Sequence, residues 1–382
     1  MNLYLQNSIE EFFNTEINSI FKPLNTNVFV KLKVVDNSKT NLISLFLIII
    51  NKIKLDNKNA AIFKIRQYTD AIKIIQSYPR ESISDSLLIR EYFTFKGTKK
   101  FTKLLIKIDE FILTGTIAEA ERYKLMPEVK SLMELTKVYA IGPAKAKDLY
   151  TKYKIITINE LKQQVIENPD IINNKQKIGL RYYSDLEQRI PRKEIERYET
   201  ELLSIASSLD KNVKLSINGS YRRGLANSGD IDILITSIKG SDTSLIRKEY
   251  IELLKQKGII IETLASGKKK FMGLATLSNY GYTTVRHLDI IDTKLEEFPF
   301  AQLYFTGSGG FNSYMRGVAL TKGYSLNEYC LSHKKTKIPV NTQEILTTIN
   351  KPVFETEQDI FKFLEMSYVE PYMREHSTLN KF

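Results

Sequence analysis

The chain has 382 residues, 42% apolar and 26% charged, with a formal net charge of +12 and a pI near 9.3. That length provides for two to four compact units, and the basic balance favours an acidic partner, most simply nucleic acid. One cysteine, Cys330, excludes an internal disulfide framework or a cysteine-built zinc site and suits a reducing intracellular compartment, while the longest apolar run, Leu42 to Ile50, is too short to span a bilayer.

In chain order, residues 1–40 read as an N-terminal extension with a strand over 28–35 between Asn and Asp turn signals. Residues 41–125 are helical by apolar spacing, with helices at 60–78, stopping before Pro79, and at 101–113, ending at Thr114-Gly115. Residues 126–190 hold short helices broken at Gly142-Pro143 and Gly179. From 191 to 300 strand-like runs (213–217, 231–236, 258–263, 271–278, 285–291) alternate with helices at 191–208 and 243–257, giving a mixed sheet. Residues 301–382 form a small α+β end with helices at 311–322 and 357–366. The fold class is α+β and multidomain.

The most informative run is Gly219-Ser220-Tyr221-Arg222-Arg223-Gly224-Leu225-Ala226-Asn227-Ser228-Gly229-Asp230-Ile231-Asp232-Ile233. Alternating strand side chains aim Asp230 and Asp232 the same way. Two carboxylates that close repel unless a cation lies between them, and hard oxygen ligands suit Mg²⁺ shared with substrate phosphates. Gly219 and Ser220 form a tight turn whose N–H groups and hydroxyl, beside Arg222 and Arg223, suit a triphosphate. A third carboxylate is needed on the adjacent strand. Asp289 fits, in the alternating run 285–291; the competitor Asp292 has the opposite parity and faces away if the strand continues. Such a set supports in-line phosphoryl transfer with two metals roughly 3.5–4 Å apart, one activating a primer 3′-hydroxyl and one holding the triphosphate and leaving pyrophosphate. Arg189, Ser220 and Arg223 would neutralise the departing phosphates. Tyr304 and Phe305, ahead of Gly307, could stack on a sugar or base, or serve only as core aromatics. Asn312 and Arg316, spaced i,i+4, share a helix face that could reach base edges or a template backbone.

These residues resemble the X-family DNA polymerases, in the layout of DNA polymerase beta, over about residues 42–375. The strongest segments are 219–236, Lys270-Phe271-Met272-Gly273, 303–329 and Asp359-Ile360-Phe361. The resemblance implies a lyase-like helical domain (41–125), a helix-hairpin-helix DNA-binding subdomain (126–190), a nucleotidyltransferase palm (191–300) and a nucleotide-selection subdomain (301–382). It places the metal-binding aspartates at Asp230, Asp232 and Asp289, and triphosphate contacts at Arg189, Ser220, Arg223 and Gly229. Sugar discrimination falls to Tyr304, Phe305 and Gly307, the minor-groove contact to Asn312 and the contact near the templating base to Arg316. Glu328 and Tyr329 match positions that couple subdomain closure to the site. The hairpin carbonyls of Thr136, Val138 and Ile141 are the implied ligands of a Na⁺ or K⁺ ion touching a DNA phosphate, with Ala140 where glycine is usual.

Lys107 matches the Schiff-base lysine of a 5′-deoxyribose phosphate lyase, with Tyr68 in the same pocket and Lys64, Lys99, Lys100 and Lys103 as neighbouring cations; the alternative is a basic DNA-binding helix without lyase chemistry. Phe63 and Glu119 depart from the family's histidine and lysine, His287 and Ile291 replace arginines, and Gly309 replaces an acidic residue. The implied function is template-directed, short-gap-filling DNA repair synthesis by a monomer using two Mg²⁺ (Mn²⁺ as substitute), deoxynucleoside triphosphates and gapped or nicked duplex DNA, away from membranes. The alternatives are a template-independent terminal nucleotidyltransferase and a non-catalytic DNA-end-binding protein.

Overall fold

A computed structural model describes residues 36–56, 61–78, 80–95 and 102–374. The expected strand at 28–35, Lys99 and Lys100 lie outside them. The first half is helical: α1 (Lys39–Asp56), α2 (Ala61–Gln76), α3 (Ser86–Phe95), α4 (Thr102–Thr114), α5 (Ala118–Leu125), α6 (Pro127–Leu135), α7 (Pro143–Tyr153), α8 (Ile158–Glu167), α9 (Asn174–Arg181) and α10 (Tyr183–Leu186). α1 carries the longest apolar run and buries Leu42, Leu45, Phe46, Ile49 and Ile50. The buried cluster they begin continues without a break through Phe93, Phe111, Leu132 and Leu149 to Leu180. Proline opens both α6 and α7, a position whose N–H has no helical partner to lose.

The second half is built on a five-stranded sheet. Its elements are β1 (Ile190–Pro191), α11 (Arg192–Leu209), β2 (Val213–Ile217), α12 (Gly219–Arg222), β3 (Asn227–Ser228), β4 (Ile231–Ser237), α13 (Thr243–Gln256), β5 (Ile260–Ser266), β6 (Lys270–Leu277) and β7 (Tyr282–Asp292). The strand order is β2-β4-β7-β6-β5, with β4 and β7 parallel and the other neighbours antiparallel. Ile231, Ile233 and Ile235 of β4 and Leu288 and Ile290 of β7 bury one face with Tyr198 and Leu202 of α11 and Tyr250 and Leu254 of α13. The intervening residues, Asp232 and Asp289 among them, therefore face the other side. β5 starts and ends later than the expected 258–263, and its pairing with β6 is irregular along its length.

The last part holds α14 (Phe298–Thr306), α15 (Gly309–Thr321), β8 (Tyr324–Leu326), β9 (Leu331–His333), α16 (Thr342–Ile349) and α17 (Glu357–Phe363). Its core gathers Phe300, Phe311, Met315, Phe354 and Phe361. Tyr304 and Phe305 end a helix, α14, that the sequence pattern hid because its residues are apolar on nearly every side. Gly219-Ser220, expected as a tight turn, opens one helical turn, α12. The whole is mixed α+β, and among the described residues no helix is long and apolar enough to cross a membrane.

Candidate active site

The parallel pairing of β4 and β7 sets Asp232 directly opposite Asp289, so both side chains leave the same sheet face. Asp230 sits one residue before β4, exposed, while Asp232 is half-buried. Burial, then the charges of Asp230 and Asp289, push the Asp232 carboxyl up to about 7. Gly219 is the reason this carboxylate can sit so close to the adjoining turn. It adopts φ +59°, and a Cβ there would lie 2.4 Å from Asp232 Oδ2.

Asp289 is engaged differently. Its Oδ2 accepts Lys270 Nζ at 2.6 Å, across the β6–β7 pair. The His287 ring lies two residues back, tilted against Tyr139 at 5.4 Å; burial lowers the His287 pKa against the pull of Asp289 and Asp230. Among the described residues no trio of carboxylate, imidazole or thiol groups stands tightly enough to hold an ion as it is. The donor set nevertheless fits divalent metal, with three hard-oxygen carboxylates at the start of β4 and on the adjacent β7, two of them raising the third's pKa by repulsion that a cation would relieve. To join, Asp289 must leave Lys270. Asp292 faces the helix side, buried with Arg247 on Oδ1 and Thr243 on Oδ2.

Asp230, Asp232, Arg189, Ser220, Arg223, Gly229, Tyr304, Phe305, Gly307 and Asn312 line one cleft of about 670 Å³, together with Gly219, Leu225, Ser308 and Gly309. Arg189 is anchored by Nε to Asn227 Oδ1 (2.9 Å) and by Nη2 to Asn227 O (3.1 Å), and a Cβ on Gly229 would come within 3.1 Å of its Nη1. Arg189 itself follows a clamped backbone, since Arg286, bidentate to buried Glu194, also donates to the carbonyls of Gln188 and Arg189. Arg223 Nη1 donates to Thr306 O at 2.7 Å, tying the α12 turn to the end of α14. The Gly307–Ser308 peptide is cis, and Ser308 caps α15 through Phe311 N. Tyr304 and Phe305 meet edge to face at 5.0 Å, and Asn312 Nδ2 donates to Tyr304 O at 2.7 Å. Arg316 lines a small pocket beside the cleft with Tyr304 and Asn312, its guanidinium 5.1 Å from the Tyr304 ring and 3.6 Å from Glu328 Oε2. Tyr329 carries Lys269 over its ring at 4.9 Å.

Two further sets of residues stand elsewhere. The α6–α7 turn carries Thr136, Val138 and Ile141, and the Val138 carbonyl accepts Ile141 N at 3.0 Å. Ala140 takes the left-handed φ of +64°, and buried Gln176 holds its carbonyl at 3.0 Å. On α4, the Lys107 ammonium contacts the Glu119 carboxylate. Burial pushes the Glu119 pKa up, but hydrogen bonds from Lys107 and Tyr123 outweigh it and leave it lowered. Tyr68 is buried against Phe46, its phenol pKa raised by burial and by Glu119. Among the described residues Lys107 thus faces a carboxylate, and Lys64, Lys103 and Phe63 are exposed.

Sequence comparisons match consecutive parts of the chain to the fingers domain of DNA polymerase lambda (residues 133–187), the DNA polymerase beta palm (189–294) and the DNA polymerase beta thumb (301–375). The chain is 29% identical to DNA polymerase lambda of Arabidopsis thaliana over 277 residues, covering 70% of this chain and 50% of that protein. It is 35% identical to DNA polymerase lambda of Rattus norvegicus over 210 residues (53% and 35%). It is 27% identical to DNA nucleotidylexotransferase of Xenopus laevis over 302 residues (69% and 56%). The chain thus spans about half, or less, of the length of these relatives. With fingers, palm and thumb models following one another, and with the paired aspartates and the glycine-serine turn inside the palm segment, the chain belongs to the X family of DNA polymerases.

Proposed function

We propose that this chain is a template-directed DNA polymerase that fills short gaps in DNA repair, transferring a deoxynucleotide from its triphosphate to a primer 3′-hydroxyl. The observation that carries the reading is the register pairing of Asp232 with Asp289, with Asp232 lining the same cleft as the adjoining Gly219-Ser220 turn, Arg189 and Arg223. Asp230, Asp232 and Asp289 would hold two Mg²⁺ ions, which when bound lower the pKa of the attacking hydroxyl and offset charge on the leaving pyrophosphate; Mn²⁺ suits the same donors. Ser220 donates its hydroxyl, and Arg189 and Arg223 present guanidinium forks to phosphate oxygens. Gly229 leaves the backbone open for close approach of the triphosphate, and Gly307 does so opposite Arg223. Tyr304 and Phe305 press on the sugar, Asn312 reaches the minor-groove edge of the incoming base, and Arg316 lies toward the templating base. The Thr136, Val138 and Ile141 carbonyls would bind a monovalent cation against a phosphate of gapped DNA.

Primer extension on a one-nucleotide-gapped duplex with Mg²⁺ tests the reading. Wild type should fill the gap, and Asp289→Ala should lose roughly a hundredfold or more, since metal stabilisation supplies several kcal/mol of the barrier. Untemplated extension of a single strand at the same rate would instead indicate terminal transfer, the activity named for the Xenopus relative. Binding without incorporation would leave only a DNA-end binder. A second chemistry, Schiff-base lyase action at an incised abasic site, requires Lys107 to leave Glu119. A borohydride-trapped adduct lost in Lys107→Ala would support it, and an adduct that survives the substitution would remove Lys107 from that role.

A further inference from the structure

We propose that Lys270 is a resident counter-ion of Asp289 that a divalent cation must displace, so that this one side chain sets how readily the site takes up metal. The inference rests on the reading of Asp289 as a metal ligand. Strand register builds the contact. Met272 lies opposite Asp289 on the antiparallel β6–β7 pair, and Lys270, two residues earlier, is the diagonal neighbour on the same face. Its Nζ reaches Asp289 Oδ2 at 2.6 Å, and among the described residues Lys270 is the ion-pair partner of Asp289.

The two side chains differ in freedom. The lysine side chain is 44% exposed and the aspartate 14%. The ammonium can therefore swing into water while the carboxylate stays. The turn that delivers Lys270 is held from beneath by buried Arg247, whose Nη2 donates to the carbonyls of Gly267 and Lys268, and Gly267 N closes on Lys270 O. Lys269, the adjacent cation, is committed to Glu297 and the Tyr329 ring and does not substitute. On the strand of Asp289 itself, Ile291 brings no charge. Lys270 and a divalent ion thus compete for one carboxylate. A polyanionic substrate that draws the ammonium away favours metal loading, which couples the two binding events through Lys270.

The test is Mn²⁺ binding to the DNA-free protein, read from the electron paramagnetic resonance signal of free Mn²⁺. Lys270→Met should bind Mn²⁺ about fivefold more tightly than wild type, the upper end for a half-exposed ion pair. Lys270→Arg should behave as wild type, and adding Asp289→Asn should abolish the gain. Should Lys270→Met lower the melting temperature, Lys270→Gln carries the same comparison. Unchanged or weaker Mn²⁺ affinity in the neutral variants, or no binding in any of them, overturns the inference. The readout needs no catalysis. Tighter Mn²⁺ binding in a protein that fills no gap would sink the polymerase reading and keep this one, and gap filling with unchanged Mn²⁺ affinity would do the reverse.

Discussion

Gly219 shows how one residue type sets the position of a charge. Any side chain there meets the Asp232 carboxylate at 2.4 Å and a left-handed backbone besides. Gly219→Ala should cost at least about 1–2 kcal/mol in the backbone alone and, by displacing Asp232, should depress gap filling more than it depresses the melting temperature; equal melting and equal turnover would dismiss the close approach. Asp232 also carries a pH signature. Its carboxyl sits near 7, above the unfolded value of 3.8, through burial and the charges of Asp230 and Asp289. The native state thus holds a proton that the unfolded chain has lost, and the stability this contributes is present below about pH 4 and disappears as pH rises through 7. Melting curves in chelator between pH 5 and 8 should fall for wild type and stay flatter for Asp232→Asn. The pair Asp230 and Asp232 was legible in the sequence because alternation along one strand needs no partner. Lys270 was not, because its contact with Asp289 depends on the register of β6 against β7, which no local pattern encodes.

Among the elements, the α6–α7 turn offers the cleanest case. The sequence marks it through Gly142-Pro143 and flags Ala140 as a departure from glycine; the backbone keeps the left-handed bend and imposes it on alanine. Gln176 and Gly179 explain how. One holds the Ala140 carbonyl, and the other lies against Tyr139 O, where a Cβ would approach to 2.4 Å. Ala140→Gly should therefore stabilise the protein by about 0.5–1 kcal/mol, the left-handed penalty less the added chain entropy of glycine, as a shift in the denaturant midpoint at constant slope. Helices with a clear apolar stripe, such as α4 and α11, were readable from spacing. α14 was not, because burial between β4 and the C-terminal core leaves it no polar face.

At the scale of the molecule, the α12 turn is joined to the C-terminal core by charge. Arg222, on the same turn as Ser220, sends Nη1 and Nη2 to the Glu357 carboxylate at 3.1 and 2.8 Å and Nη1 to Thr306 Oγ1 at 2.7 Å. Arg374 grips Glu357 from the other side at 3.0 and 2.9 Å, fixed by Val369 O and packed among the rings of Phe311, Phe361 and Tyr368. Burial alone would raise the Glu357 pKa, but the two guanidinium groups bring it down to about 2. With a folded value below the unfolded 4.5, Glu357 contributes stability that is complete at neutral pH and lost as pH falls from about 5 toward 2. The displacement corresponds to roughly 3 kcal/mol. Glu357→Gln leaves Arg374 buried with its charge uncompensated, so the neutral-pH loss should reach about 3–5 kcal/mol, with the acid limb of the stability curve flattened below pH 5. The catalytic consequence runs through Arg222. Without Glu357 the turn carrying Ser220 and Arg223 keeps its bonds to Thr306 but loses its ionic tie to the C-terminal core, so the Michaelis constant for the incoming nucleotide should rise beyond what lost folded protein accounts for. Titrating active protein before measuring that constant separates the two effects. A constant that stays at the wild-type value in the folded fraction would show that this network supports the fold alone.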